Sequence, residues 1–137
     1  MRAVVLLLVA GLFAGCALVW PRHDPSRAWI DLAAPEPTRM RASAVDQQEV
    51  SDPRFFHIEP GSHRLDLRYS FPVSPTNSGL QQGLQRDCRL ALEYAEFRAG
   101  TRYRLVGGAV GFRPWARLYD EQGTLLASAR EQGCSAS

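Results

Sequence analysis

The stretch from His63 to Phe71 constrains this chain more than any other part of it. Leu65, Leu67, Tyr69 and Phe71 alternate with Arg64, Asp66, Arg68 and Ser70 without a fault. A strict period of two over nine residues predicts an antiparallel strand with one face in a core and the other in water. Just before it, Arg54-Phe55-Phe56-His57-Ile58 runs into Glu59-Pro60-Gly61-Ser62. Pro presets φ and Gly accepts φ > 0, so those four residues read as a turn and the two strands as a hairpin, with Ile58 opposite His63.

Further short strands follow the same logic. Trp29-Ile30-Asp31-Leu32 is read as a first strand, Ala34 to Pro37 as a loop, and residues 41–50 as a small hairpin. Pro72 to Gln85 is rich in Pro, Ser, Asn, Gly and Gln and reads as a long loop. From Cys88 two patterns compete. Cys88, Leu90, Leu92 and Tyr94 alternate with polar or small residues, whereas Leu84, Cys88, Ala91, Leu92 and Ala95 fall on one helical stripe. The strict alternation, and the turn that Gly100 opens, predict strand. Tyr103–Val106, Trp115–Asp120 and Leu125–Ala129 complete the set, the last two joined by a turn at 121–124. Six to eight short strands with turn signals between them predict an all-β domain, a single antiparallel β-sandwich.

The N-terminus reads differently. Arg2 precedes a short apolar run, the layout of a secretory signal that is removed and takes no part in the fold. Trp20-Pro21-Arg22-His23-Asp24-Pro25 ends that run, which is shorter than the roughly 20 apolar residues a spanning helix needs. Leu12-Phe13-Ala14-Gly15-Cys16 resembles the lipobox of bacterial lipoproteins. The resemblance implies cleavage before Cys16, diacylglycerol on its thiol and acylation (palmitate among the acyl chains) of the new N-terminus. Several acyl chains hold a protein where one does so only marginally. The expected organisation is a signal peptide over 1–15, lipidated Cys16 with a tether over 16–28, and a β-sandwich over 29–137. Ala17 stands where an Asp would favour inner-membrane retention, so the family rule implies the periplasmic face of the outer membrane.

Removing residues 1–15 leaves 122 of the 137 residues, enough for one domain with its own core. Every basic side chain is Arg, and 15 of them face 14 acids once Arg2 is gone. That near-neutral balance speaks against nucleic acid, which calls for a strongly basic face. With Cys16 assigned to lipid, Cys88 and Cys134 remain in an exported chain, where disulfides persist. They are expected to pair and to staple the C-terminal strand to the middle of the domain.

Three segments resemble a known group. Ile58-Glu59-Pro60-Gly61-Ser62-His63-Arg64-Leu65 resembles the turn-and-strand of small envelope domains related to PEGA and carboxypeptidase-regulatory β-sandwiches. Phe97 to Leu105 and Trp115 to Ala127 resemble hairpins in small Gram-negative lipoproteins of unknown function. The resemblance implies the sandwich and carries no chemistry with it. Where the related pattern has Gly after Val-Asp in the early hairpin, this chain has Gln47.

No catalytic residue, metal site or cofactor is expected from the sequence. His57 and His63 flank the Pro60-Gly61 turn, but a hairpin would put them on opposite faces of one sheet, where they cannot share a metal. His63 is then expected to brace the turn, with His57 on the surface. No Ser sits in a G-x-S-x-G elbow. Gly107-Gly108-Ala109-Val110-Gly111 lacks the Lys-Ser/Thr of a phosphate loop and is expected to be a loop or bulge. Asp31 and Asp66 show no partner in the sequence. Arg102, Arg104, Arg113 and Arg117 are the candidate binding residues, since Arg grips phosphate and carboxylate bidentately. Tyr69, Phe112, Trp115 and Tyr119 offer either a carbohydrate-stacking surface or a core. Three functions are weighed: a non-enzymatic, lipid-anchored module binding another envelope protein; recognition of a glycan or lipopolysaccharide through an Arg/aromatic face; and an unrecognised hydrolase. Convergence of the four arginines on one exposed face separates the second from the first, and scattered or acid-paired arginines would count against the second.

Overall fold

The computed structural model describes residues 23–50, 52, 54–74 and 83–136. Ten strands form two five-stranded sheets packed face to face. They are β1 (Ala28–Ala33), β2 (Arg39–Val45), β3 (Gln48–Glu49), β4 (Phe55–Ile58), β5 (Gly61–Val73), β6 (Leu84–Phe97), β7 (Arg102–Val110), β8 (Arg113–Tyr119), β9 (Leu125–Ser128) and β10 (Arg130–Ala136). The first sheet has the order β4-β1-β7-β8-β9 and the second β10-β6-β5-β2-β3. The all-β sandwich is as expected, with ten strands among the described residues where six to eight were anticipated. One pair is not antiparallel: β1 lies parallel to β7.

The core is the sum of the inward faces. Ile30, Phe56 and Leu105 come from the first sheet, with Ala116 and Leu118 beside them; Leu65, Leu67, Tyr69, Phe71, Leu90 and Leu92 come from the second. The alternation in residues 63–71 thus lies on the core face, and Tyr69, fully buried there, is a core residue and not part of any stacking surface. Segment 84–97 is strand throughout, because the side chains of Cys88, Leu90 and Leu92 need one buried face in register with β5.

Three expectations change. Strands β4 and β5 are consecutive in sequence and do not pair. Ile58 lies opposite Ala28 of β1, and His63 opposite Tyr94 of β6. The turn at Glu59-Pro60, with Gly61 at φ 117°, carries the chain from one sheet to the other. Phe56 and Ile58 then bury from one side and Leu65 and Leu67 from the other, which a two-strand hairpin would not allow. Second, the strands invade the long loop, with β5 reaching Val73 and β6 starting at Leu84; residues 75–82 lie outside the described set.

Third, Gly107 and Gly108 are strand residues of β7, not a loop. Each is glycine because a neighbour occupies the space of its side chain. A Cβ on Gly107 would meet the Met40 sulfur at 2.6 Å inside the core, and one on Gly108 would meet the Trp115 ring at 2.3 Å outside it. The small hairpin does form in spite of Gln47: Asp46 and Gln47 both take positive φ, 48° and 71°, as a two-residue turn of the mirror-image kind demands.

Cys88 and Cys134 are bonded, directly opposite one another on β6 and β10, with Cα atoms 4.0 Å apart. The C-terminal edge strand is thereby tied to its neighbour β6, the next strand into the second sheet. Cys16 and the signal segment lie outside the described residues.

Candidate binding surface

The outer face of the first sheet gathers the sequence's candidate arginines. The inward positions of β7 and β8 are Tyr103, Leu105, Ala116 and Leu118, so the alternate positions Arg102, Arg104, Arg113 and Arg117 all point outward. Cross-strand register turns them into rows. His57, Trp29 and Arg102 lie side by side; so do Phe55, Asp31, Arg104 and Tyr119; Val106, Arg117 and Ser128 form the next row. Beyond them come Gly108 with Trp115 and Val110 with Arg113.

Trp29 organises one end of this face. Its indole stacks on Phe55 (centroids 4.8 Å apart, planes within 5°) and meets the edge of His57 at 4.5 Å. Its ring N–H donates to Asp31 Oδ1 at 2.6 Å, and Arg102 Nε donates to Asp31 Oδ2 at 2.5 Å. The Asp31 bond and charge push the Arg102 guanidinium further toward its protonated form. Asp31, without a visible partner in the sequence, is therefore the hinge of this cluster. Sequence reasoning missed Trp29 and Asp31 as part of the surface, because the parallel β1–β7 contact that brings them to Arg102 has no local signature. Arg102, Arg104, Asp31, Asp120 and Glu121 together line a shallow cleft of about 490 Å³.

Trp115 organises the other end. It lies over Gly108, and the Arg117 guanidinium sits 4.9 Å from its ring centre. A guanidinium stacked on an aromatic ring keeps its edge N–H groups free for an oxyanion. Among the described residues, Arg104, Arg113 and Arg117 have no carboxylate within 4.0 Å, while Arg102 is paired with Asp31. At the tip next to Arg113, Val110 is 75% and Phe112 38% exposed.

The two histidines stand in different sheets and both line a cleft of about 540 Å³ between the β2–β3 hairpin and β4. Both ring nitrogens of His63 and one of His57 are engaged. His63 Nδ1 is 2.5 Å from Asp46 Oδ2, and its Nε2 lies 2.6 Å from the Glu59 carbonyl, so it braces the turn. Asp46 also accepts the Arg64 N–H, and that bond, followed by His63, holds its carboxyl below the usual carboxylate range. His57 Nε2 accepts the Asp24 N–H at 3.3 Å. Residues 24–27, expected as tether, are thus docked on the domain, with Arg27 also bound to Glu59. Among the described residues, one group has donor atoms close enough to hold an ion, Cys88, Glu131 and Cys134, and its two sulfurs are bonded to each other.

No family model, curated protein or solved structure matches this chain.

Proposed function

We propose that this chain is a non-enzymatic, lipid-anchored binding module of the cell envelope. The outer face of its first sheet recognises anionic groups, phosphate or carboxylate, on an envelope glycan or glycolipid such as lipopolysaccharide. One observation carries the reading: Arg102, Arg104, Arg113 and Arg117 share a face with Trp29, Trp115 and Tyr119, and three of the four have no acidic partner among the described residues. Guanidiniums without an acidic partner are suited to bidentate capture of oxyanions, and one of them, Arg117, is held on the Trp115 ring. The lipobox-like Leu12 to Cys16 supplies the anchor in this reading, and anchoring confines the domain to the layer where such ligands are dense.

A protein partner is the second reading, favoured by a separate observation. Val110 extends the same face with exposed apolar surface, Phe112 is exposed in the adjoining β7–β8 turn, and Trp, Tyr and Arg are the residues that dominate protein interfaces. In-cell crosslinking of the tagged chain followed by mass spectrometry, with Cys16→Ser as control, separates the two. Glycan or lipopolysaccharide recovered with the anchored form, and lost without lipidation, supports the first reading. A single dominant protein in its place supports the second.

A further inference from the structure

The outer face of the second sheet carries a row that ordinary folding would avoid. Arg41 of β2 lies directly opposite Arg68 of β5, and Arg68 directly opposite Arg89 of β6. All three are exposed, because the inward positions beside them belong to Met40, Leu67, Tyr69, Cys88 and Leu90. Neighbouring strands are about 4.8 Å apart, so three positive side chains stand abreast over roughly 10 Å. Like charges directly opposite on paired strands destabilise a sheet.

The acids of this face do not relieve the row. Arg64 engages Asp66 at 3.2 Å and Glu93 at 3.9 Å. Asp87 reaches Arg68 only at 3.9 Å. Arg41 and Arg89 have no carboxylate within 4.0 Å among the described residues. Shallow clefts of about 390 and 330 Å³ lie on either side of the row, and Arg68 and Arg89 line both. Ser43, Gln132 and Asp66 border one cleft and Ser135 and Asp87 the other, so neutral donors and acceptors stand beside the cations, with one carboxylate at the margin of each cleft. Gly133, opposite Arg89, leaves the floor open; a Cβ there would touch the Arg89 guanidinium at 3.4 Å.

We propose that Arg41, Arg68 and Arg89 form a second binding site, for a diphosphate group. A carboxylate carries one charge and is satisfied by a single guanidinium fork. Three forks abreast, with Asp66 taken up by Arg64 and Asp87 reaching Arg68 only at 3.9 Å, match a ligand with several charges and several oxygens in a short span. The site stands on the opposite sheet from the first arginine face and does not depend on it.

The test is calorimetric titration of inorganic pyrophosphate into the detergent-solubilised full chain at fixed ionic strength. Parallel titrations use Arg68→Gln, Arg89→Gln and, as control, Arg98→Gln in the exposed β6–β7 turn. The expected result is saturable binding, weakened at least tenfold in Arg68→Gln and Arg89→Gln and unchanged in Arg98→Gln. Without ligand, Arg68→Gln and Arg89→Gln should melt no lower than the parent, since each removes a repulsion; that readout separates a lost site from a lost fold. Absence of pyrophosphate binding overturns the proposal, as does binding that both row variants retain. Binding to micelles doped with phosphatidic acid but not to pyrophosphate also overturns it, and would make the row a contact for lipid headgroups.

Discussion

Gly108 and Trp115 are cross-strand partners on the outer face of the first sheet, and the indole fills the space that any side chain at position 108 would need. The position of Trp115, and with it the stacked Arg117, is therefore set by the absence of a single methyl group. Gly108→Ala places a Cβ 2.3 Å from the ring and must push it aside. The expected outcome is a changed tryptophan near-ultraviolet signal with a stability loss of about 1 kcal/mol, the low end of overpacking costs, because the ring can swing into solvent. Gly107→Ala faces the core, where the Met40 sulfur would sit at 2.6 Å and the Tyr69 ring at 3.2 Å, and should cost about 2–3 kcal/mol in urea unfolding.

Cys88 and Cys134 close a loop with a sequence separation of 46. On the chain-entropy model, Cys88→Ser with Cys134→Ser lowers stability by about 4 kcal/mol. Denaturation of parent and double variant, with and without reductant, checks this. Reductant should bring the parent down to the variant and leave the variant where it is.

Gln47 holds φ at 71° in the β2–β3 turn, a conformation that costs a residue with a Cβ about 1–2 kcal/mol. Gly avoids that cost but loses more freedom on folding. Gln47→Gly is expected to stabilise the domain by about 0.5–1 kcal/mol, read as a higher urea midpoint with an unchanged slope.

His57 couples the domain to pH. Its Nε2 accepts the Asp24 N–H, so the bond requires that nitrogen to be unprotonated. Burial, and then the neighbouring His23, push the imidazole below its ordinary 6.5. A histidine whose pKa is lower in the folded chain adds stability that is complete above about 6.5 and lost as pH falls. The melting temperature should therefore drop between pH 7.5 and 5.5, and His57→Gln, which does not titrate, should flatten that profile. Asp46, held low chiefly by the Arg64 N–H, acts in a separate window and gives up its contribution only as pH falls below its ordinary 3.8.

The period-two pattern made the class of fold legible, because Leu65, Leu67, Tyr69 and Phe71 need only local sequence to declare a buried face. The same pattern is silent on which strands pair. Residues 54–58 and 61–73 look like a hairpin, yet Phe56 and Ile58 are buried from the opposite sheet to Leu65 and Leu67. Gly107-Gly108 looked like a loop for a related reason: the Met40, Tyr69 and Trp115 side chains that require those glycines come from other strands. The Cys88–Cys134 pair was readable from counting cysteines. So was the shared face of Arg102 and Arg104, two apart on one strand, and likewise Arg113 and Arg117, four apart. Joining these two pairs to Trp29 and Asp31 depends on the parallel β1–β7 register, which is a long-range property. The Arg41–Arg68–Arg89 row is invisible for the same reason, being spread over three strands.

We propose that the outer face of the first sheet recognises anionic envelope ligands, chiefly through Arg104, Arg113 and Arg117, which have no acidic partner among the described residues. The most direct test is binding of lipopolysaccharide to the detergent-solubilised full chain, comparing the parent with an Arg104→Gln/Arg117→Gln double variant. The expected result is a loss of affinity of at least tenfold, about 1.4 kcal/mol or more, with the melting temperature held, because neither side chain has an acidic partner among the described residues to lose. Equal affinity in the two proteins would contradict it.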